Sequence, residues 1–274
     1  MLKRWINRAT ILCFALLMPG VSLAKKSAEA QQLPPFNGIA HVAIRVRDLD
    51  ASRSFYQKLG FDEAFTLSKN GAVYESFIKI NDQQFIELYP LDEKNTQIGF
   101  LHLCFEGADL DAINKEYLSR GLTPNAVRKA GAGNLLFTME GPEGQNIEYT
   151  QYMPGSLHSN NIGKNLGADR IADSMVLVSL AMNDMAVASD FYRKQLRFTA
   201  SPHNPMLFDL PGTSGDQVEI VSSNLGRKAR VVFHTTDLHK AEQHLHKQHL
   251  PFTKARGVLT IIDPDGNLLL VQSR

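Results

Sequence analysis

The chain has 274 residues, and 29 lysines and arginines stand against 28 aspartates and glutamates. So even a balance leaves no basic excess, which excludes nucleic acid and anionic lipid as expected partners. Its two cysteines, Cys13 and Cys104, fall on opposite sides of an expected processing site. No internal disulfide is therefore expected, and the core must come from buried apolar surface, enough for one large or two small domains.

At the N-terminus Lys3, Arg4 and Arg8 precede an apolar run from Ala9 to Met18. Pro19-Gly20 breaks the run, and Ser22-Leu23-Ala24 has the small-x-small form of a cleavage site. Residues 1–24 read as a secretory signal peptide, and the run is too short to cross a membrane. Cys13 lies inside the apolar run, without the small residue before it that a lipoprotein site needs. The remaining chain carries 26 basic and 28 acidic residues, a net charge of −2. It is expected to be periplasmic or secreted, with no membrane attachment after cleavage. Residues 25–36 are polar, contain Gln31-Gln32 and Pro34-Pro35, and read as a tether.

From Gly38 to Val46 apolar residues alternate. Val42, Ile44 and Val46 share one face of a strand, and His41, Ala43 and Arg45 share the other. Asp48 is placed to cap a helix that carries Phe55, Tyr56 and Leu59 and stops at Gly60. Strand-like runs follow at Asp62–Leu67, Ala72–Ile80 and Gln84–Tyr89, with Asn70-Gly71 and Asn81-Asp82 as turns. This β-α-β-β-β order recurs. Phe100 to Phe105 is a strand, Leu110 to Ser119 a helix, and Asn134–Met139 and Asn146–Tyr152 are later strands. Residues 154–172, rich in Gly, Ser and Asn, read as a linker. A third module opens with the strand Met175–Met182 and a helix capped by Asp184 that bears Phe191-Tyr192. A fourth opens at Arg230–Phe233, with Asp237-Leu238 beginning its helix and Asp263-Pro264-Asp265-Gly266-Asn267 turning into the final strand.

One shift of 61 residues relates the first two modules: it carries Asp48-Leu49-Asp50-Ala51 onto Asp109-Leu110-Asp111-Ala112 and Gly60 onto Gly121. The same shift carries His41 onto His102 and Glu87 onto Glu148. Strand parity turns His41 and His102 away from the apolar face that packs on the helices, into the concave side. Two imidazoles and two carboxylates so gathered suit a divalent ion, and one cation relieves both buried carboxylates. The bland alternative, core histidines and solvated glutamates, does not explain four positions that obey one shift.

The run His41-Val42-Ala43-Ile44, the Asp48-Leu49 turn, Phe55-Tyr56-x-x-Leu59-Gly60-Phe61 and Asp263-Pro264-Asp265-Gly266-Asn267 resemble the vicinal oxygen chelate superfamily over residues 37 to 272. That superfamily includes glyoxalase I, methylmalonyl-CoA epimerase, extradiol dioxygenases and fosfomycin or bleomycin resistance proteins. The resemblance implies an α+β fold of two tandem domains. Each would hold two βαβββ modules in a half-open mixed barrel with helices outside, over residues 37–153 and 173–274. It also implies that His41, Glu87, His102 and Glu148 ligate Zn, Ni, Co, Mn or Fe. By likeness to glyoxalase I, Glu148 becomes the catalytic base, with Glu87 as the alternative.

The second half keeps little of that set. Leu177, Arg230 and Leu270 occupy three of the equivalent positions, and only Glu219 retains its type. This half is expected to be a degenerate copy without a metal site. The chain is expected to be a metal-dependent lyase or isomerase acting on a small molecule with adjacent oxygens, as a monomer or homodimer. The competing expectations are an extradiol-type ring-cleaving dioxygenase and a metal-free binding or resistance protein. Cys104 is expected to be an inert buried thiol. Arg45 could hold an anionic substrate group or a salt bridge, and His234, His239, His244 and His246 are expected mainly to face solvent.

Overall fold

The computed structural model describes residues 34–274, except Thr213 and Arg227. The expected signal peptide and most of the tether lie outside the described residues.

Four times the chain leaves a strand, passes an aspartate and enters a helix. Asp48, Asp109, Asp184 and Asp237 each accept a hydrogen bond from the backbone N–H three residues on, at 2.9–3.0 Å. Each bond satisfies one of the donors that a helix leaves open at its start. The helices are α1 (Leu49–Lys58), α2 (Leu110–Ser119), a short α3 (Leu157–Asn160), α4 (Met185–Asp190) and α5 (Leu238–Lys247). The helix expected to bear Phe191-Tyr192 differs in detail. It widens after α4 into a π turn over Phe191–Gln195, and both rings are buried.

The first sheet comprises β1 (Phe36–Val46), β2 (Glu63–Lys69), β3 (Ala72–Lys79), β4 (Phe85–Pro90), β5 (Gly99–Gly107), β6 (Arg128–Lys129), β7 (Leu135–Glu140) and β8 (Asn146–Gln151). The second comprises β9 (Ser174–Met182), β10 (Thr199–Ala200), β11 (Leu207–Asp209), β12 (Gln217–Ser222), β13 (Arg230–Thr235), β14 (Phe252–Ala255), β15 (Val258–Ile262) and β16 (Leu268–Ser273). Their orders are β2-β3-β4-β1-β5-β8-β7-β6 and β10-β11-β12-β9-β13-β16-β15-β14, the same pattern twice. In each sheet two central antiparallel strands are flanked by parallel partners. This is the α+β architecture expected from the repeats, with the first sheet curled into a half-barrel. Val42, Ile44 and Val46 are fully buried, with Tyr56 of α1 and Leu59 just beyond it in the same core. That packing fixes which way His41 faces.

Both sheets belong to one compact unit. The contacts between them are reciprocal. Glu143, in the turn before β8, accepts from the backbone N–H groups of Asn183 and Asp184 at the start of α4. Asp265, in the matching turn before β16, accepts from the N–H of Arg47 at the start of α1. Tyr56 donates to Asp263 at 3.2 Å, and Tyr192 to Gln145 at 3.1 Å. The segment 154–172 connects the sheets and also folds against the first one. Leu157 N–H donates to the Ala132 carbonyl at 2.8 Å. The buried Lys79 ammonium donates to the carbonyl oxygens of Asn161 and Lys164 and pairs with Asp82.

Candidate metal centre

His41 comes from β1, Glu87 from β4, His102 from β5 and Glu148 from β8, the four central strands of the first sheet. Because β1 pairs with both β4 and β5, and β5 with β8, their inward side chains converge. His41 Nε2 lies 3.1 Å from His102 Nε2 and 3.5 Å from Glu148 Oε1. His41 Nδ1 lies 3.0 Å from Glu87 Oε1. His102 Nε2 lies 3.9 Å from Glu87 Oε2 and 4.0 Å from Glu148 Oε2. Ligating atoms of His41, Glu87 and His102 lie within 4.8 Å of one another, as do those of His41, Cys104 and Glu148. The structure therefore brings all four expected residues together, with His41 shared by both groups.

Burial decides their charge. It lowers the pKa of both imidazoles, that of His102 more strongly, and raises those of the Glu87 and Glu148 carboxyls. The facing nitrogens of the two neutral imidazoles, at 3.1 Å, are in hydrogen-bond range of each other, and the same placement would let both lone pairs meet one ion. His41 Nδ1 approaches Glu87 closely but is not aligned to make a hydrogen bond. Two nitrogens bound to one ion at about 2.0–2.1 Å and a near-right angle stand roughly 3 Å apart. The donor set, two neutral nitrogens and two carboxylates, fits a divalent transition ion and balances its charge.

Three further residues shape the site. Tyr89 donates toward Glu75 at 2.6 Å and Glu87 at 3.0 Å, so its phenol links the candidate ligand to a second carboxyl. Burial pushes Glu75 up to about 8, with the neighbouring Glu87 adding to the shift. Tyr89 was readable from sequence, two residues beyond Glu87 and so on the same strand face. Glu75 shares the inward parity of Phe77, which pairs with Glu87. His158, on α3, lines the same cavity, and no local pattern announced it.

Cys104 is buried on the face shared with His102, and burial lifts its thiol well above the usual range. Arg45 makes no ion pair among the described residues, and its buried Nε has no hydrogen-bond partner. The late histidines do not form a cluster. His234 contacts Gln272, His239 contacts Gln243, and His246 packs edge-on to Phe252. His244 is a correction to the expected solvent-facing group: it is buried and donates to the Lys58 carbonyl at 2.8 Å, a contact 186 residues away in sequence. In the second sheet an arginine side chain supplies the positive charge. Arg230 Nη1 lies 2.6 Å from Glu219 Oε2, and Ser179 donates to the same carboxylate at 2.7 Å.

The sequence profile of the Glyoxalase/Bleomycin resistance protein/Dioxygenase superfamily matches residues 40–138, which carry three of the four converging residues. Residues 40–138 thus resemble a domain of the vicinal oxygen chelate superfamily. Most of the described chain shares its fold with a solved glyoxalase and solved dioxygenases. The Mn(II)-bound glyoxalase from Novosphingobium aromaticivorans is 13% identical, with TM-score 0.64 over 88% of this chain and 83% of that one. The 2,3-dioxygenase LapB from Pseudomonas sp. KL28 is 16% identical, with TM-score 0.64 over 88% and 93%. A variant of homoprotocatechuate 2,3-dioxygenase from Brevibacterium fuscum is 18% identical, with TM-score 0.64 over 89% and 73%. Identities this low carry the fold alone. No curated protein sequence matches the chain.

Proposed function

We propose that this vicinal oxygen chelate protein is a metal-dependent enzyme, a lyase or isomerase, acting on a small molecule with two neighbouring oxygens. The supporting observation is the convergence of His41, Glu87, His102 and Glu148 from four adjacent strands. These residues would hold Zn, Ni, Co, Mn or Fe, which supplies Lewis-acid polarisation of a substrate carbonyl when bound. Glu148 is the base. Its side chain is the most accessible of the four, at 14% exposed, and it borders the cavity where a substrate would sit. Its raised pKa brings its proton affinity toward that of the proton it must take up and return. Tyr89 and Glu75 hold Glu87 in place, leaving Glu148 free to move a proton at the carbon beside the carbonyl.

A second reading is extradiol-type ring cleavage, favoured by the similarity to two ring-cleaving dioxygenases. One comparison separates them. The metal-loaded protein should exchange the α-proton of hydroxyacetone for deuterium, and Glu148→Gln should slow the exchange by about 10²–10⁴-fold. Oxygen uptake with catechol and Fe(II), without any proton exchange, would establish ring cleavage instead. Export is part of the proposal, supported by the pattern over residues 1–24. The exported protein should begin at Lys25, and a retained Met1 in the secreted fraction would refute cleavage there. The reciprocal contacts between the sheets resemble those of a dimer made within one chain, which favours a monomer over the homodimer.

A further inference from the structure

The cavity beside the metal cluster has a volume of about 190 Å³, and Arg128 is the one lysine or arginine among the residues that line it. Strand register fixes which way Arg128 faces. It pairs with Leu136, and Leu136 pairs with Thr150, and all three border the cavity. Thr150 stands two residues from Glu148, so this row shares the concave face with that carboxylate. Two strand spacings across and two residues along put the Arg128 and Glu148 backbones about 12 Å apart. The two side chains span part of that distance, and a short ligand spans the rest. Because β6 is the edge strand, Arg128 stands exposed at the rim, while Glu75 and Glu87 lie deeper and share the Tyr89 phenol. The opposite rim comes from β3. Tyr74 is the extra residue of a bulge, since Leu67 pairs with Glu75 and Ser68 with Val73, and its ring turns onto the cavity. The two rims approach closely: a Cβ on Gly131 would stand 3.5 Å from the Tyr74 hydroxyl and 3.2 Å from Leu67 Cδ1. Arg128 makes no ion pair or side-chain hydrogen bond among the described residues. Its guanidinium is therefore an accessible cation at a narrowed mouth, across the cavity from the metal end.

We propose that Arg128 binds a carboxylate at the mouth of this cavity, so that the ligand is a short acid whose vicinal oxygens lie at the end away from its carboxylate. The inference rests on the proposed function for the metal end of the ligand; the Arg128 end stands apart from it. A guanidinium presents parallel N–H donors that match the two oxygens of a carboxylate. The placement of charge also sets the orientation. Glu75, Glu87 and Glu148 border the inner end, so a neutral hydroxyketone head is accepted there and the acid group is directed to Arg128.

The test is calorimetric titration of the zinc-loaded protein, at low ionic strength, with 5-hydroxy-4-oxopentanoate and with its amide. Both probes carry the same α-hydroxyketone and have the same length, and only the acid is charged at the far end. The acid should bind about fivefold more tightly, the upper scale of an exposed ion pair, and the ratio should fall as salt is added. Arg128→Gln should erase that ratio while the affinity for the amide stays within about twofold. Equal affinities in the wild type, binding of neither probe, or a wild-type ratio indifferent to salt would overturn the subsite. An unchanged ratio in Arg128→Gln would overturn it too, since the carboxylate would then be meeting the metal. Repeating the titrations without metal separates the two readings. A protein that takes up no zinc but still prefers the acid through Arg128 refutes the metal reading and supports the subsite. Stoichiometric zinc with no preference refutes the subsite alone.

Discussion

At the scale of single residues the site depends on how burial sets charge. His158 gives a clean pH signature. Its folded pKa is depressed to about 3 from the ordinary 6.5, so the unfolded chain binds the proton more readily. The stability it contributes is fully present above pH 6.5 and is lost as pH falls toward 3, with a limiting slope of about 1.4 kcal/mol per pH unit. Urea midpoints from pH 7 to pH 4 should therefore fall more steeply for the wild type than for His158→Phe, and parallel curves would contradict this. Glu148→Gln should cost about 10²–10⁴-fold in kcat for proton exchange, the usual span for a removed general base, and a loss under tenfold would remove Glu148 from that role. The four central residues were legible in the sequence because strands alternate every two residues and the repeat kept one shift of 61. His158 was not legible, since its partner Asn134 lies 24 residues back and Phe65 and Phe77 lie on strands far upstream.

At the scale of elements, the four capping aspartates explain why the module boundaries could be read so closely. The helix expected over Leu110 to Ser119 is α2, and those expected after Asp48, Asp184 and Asp237 all form. Asp109→Ala should destabilise by about 0.5–2 kcal/mol in chemical denaturation, and no measurable change would mean the cap is dispensable. The short strands β6, β10 and β11 escaped the sequence reading because they hold only two or three residues, too few to show a period. Likewise α3 has four residues and owes its place to tertiary contacts. The same pairing explains the second sheet. The sequence showed only that Arg230 replaces a histidine, whereas the fold shows its guanidinium neutralising Glu219, which leaves that carboxylate no need of an ion.

At the scale of the whole molecule, the reciprocal turns around Glu143 and Asp265, and the matched phenols of Tyr56 and Tyr192, tie two copies of one architecture together. Calorimetry should show one cooperative transition for both sheets, and two well-separated transitions would contradict that coupling. The first copy keeps the inward histidines and glutamates while the second has exchanged them for an internal ion pair, so any chemistry is concentrated on one concave face. The most direct measurement of that claim is metal content after reconstitution with zinc and removal of the excess. One equivalent should remain bound to the wild type, and less than a tenth to His41→Ala/His102→Ala with its fold retained. A folded wild type that holds no zinc, or a double variant that still holds a full equivalent, would contradict a metal centre built from these strands.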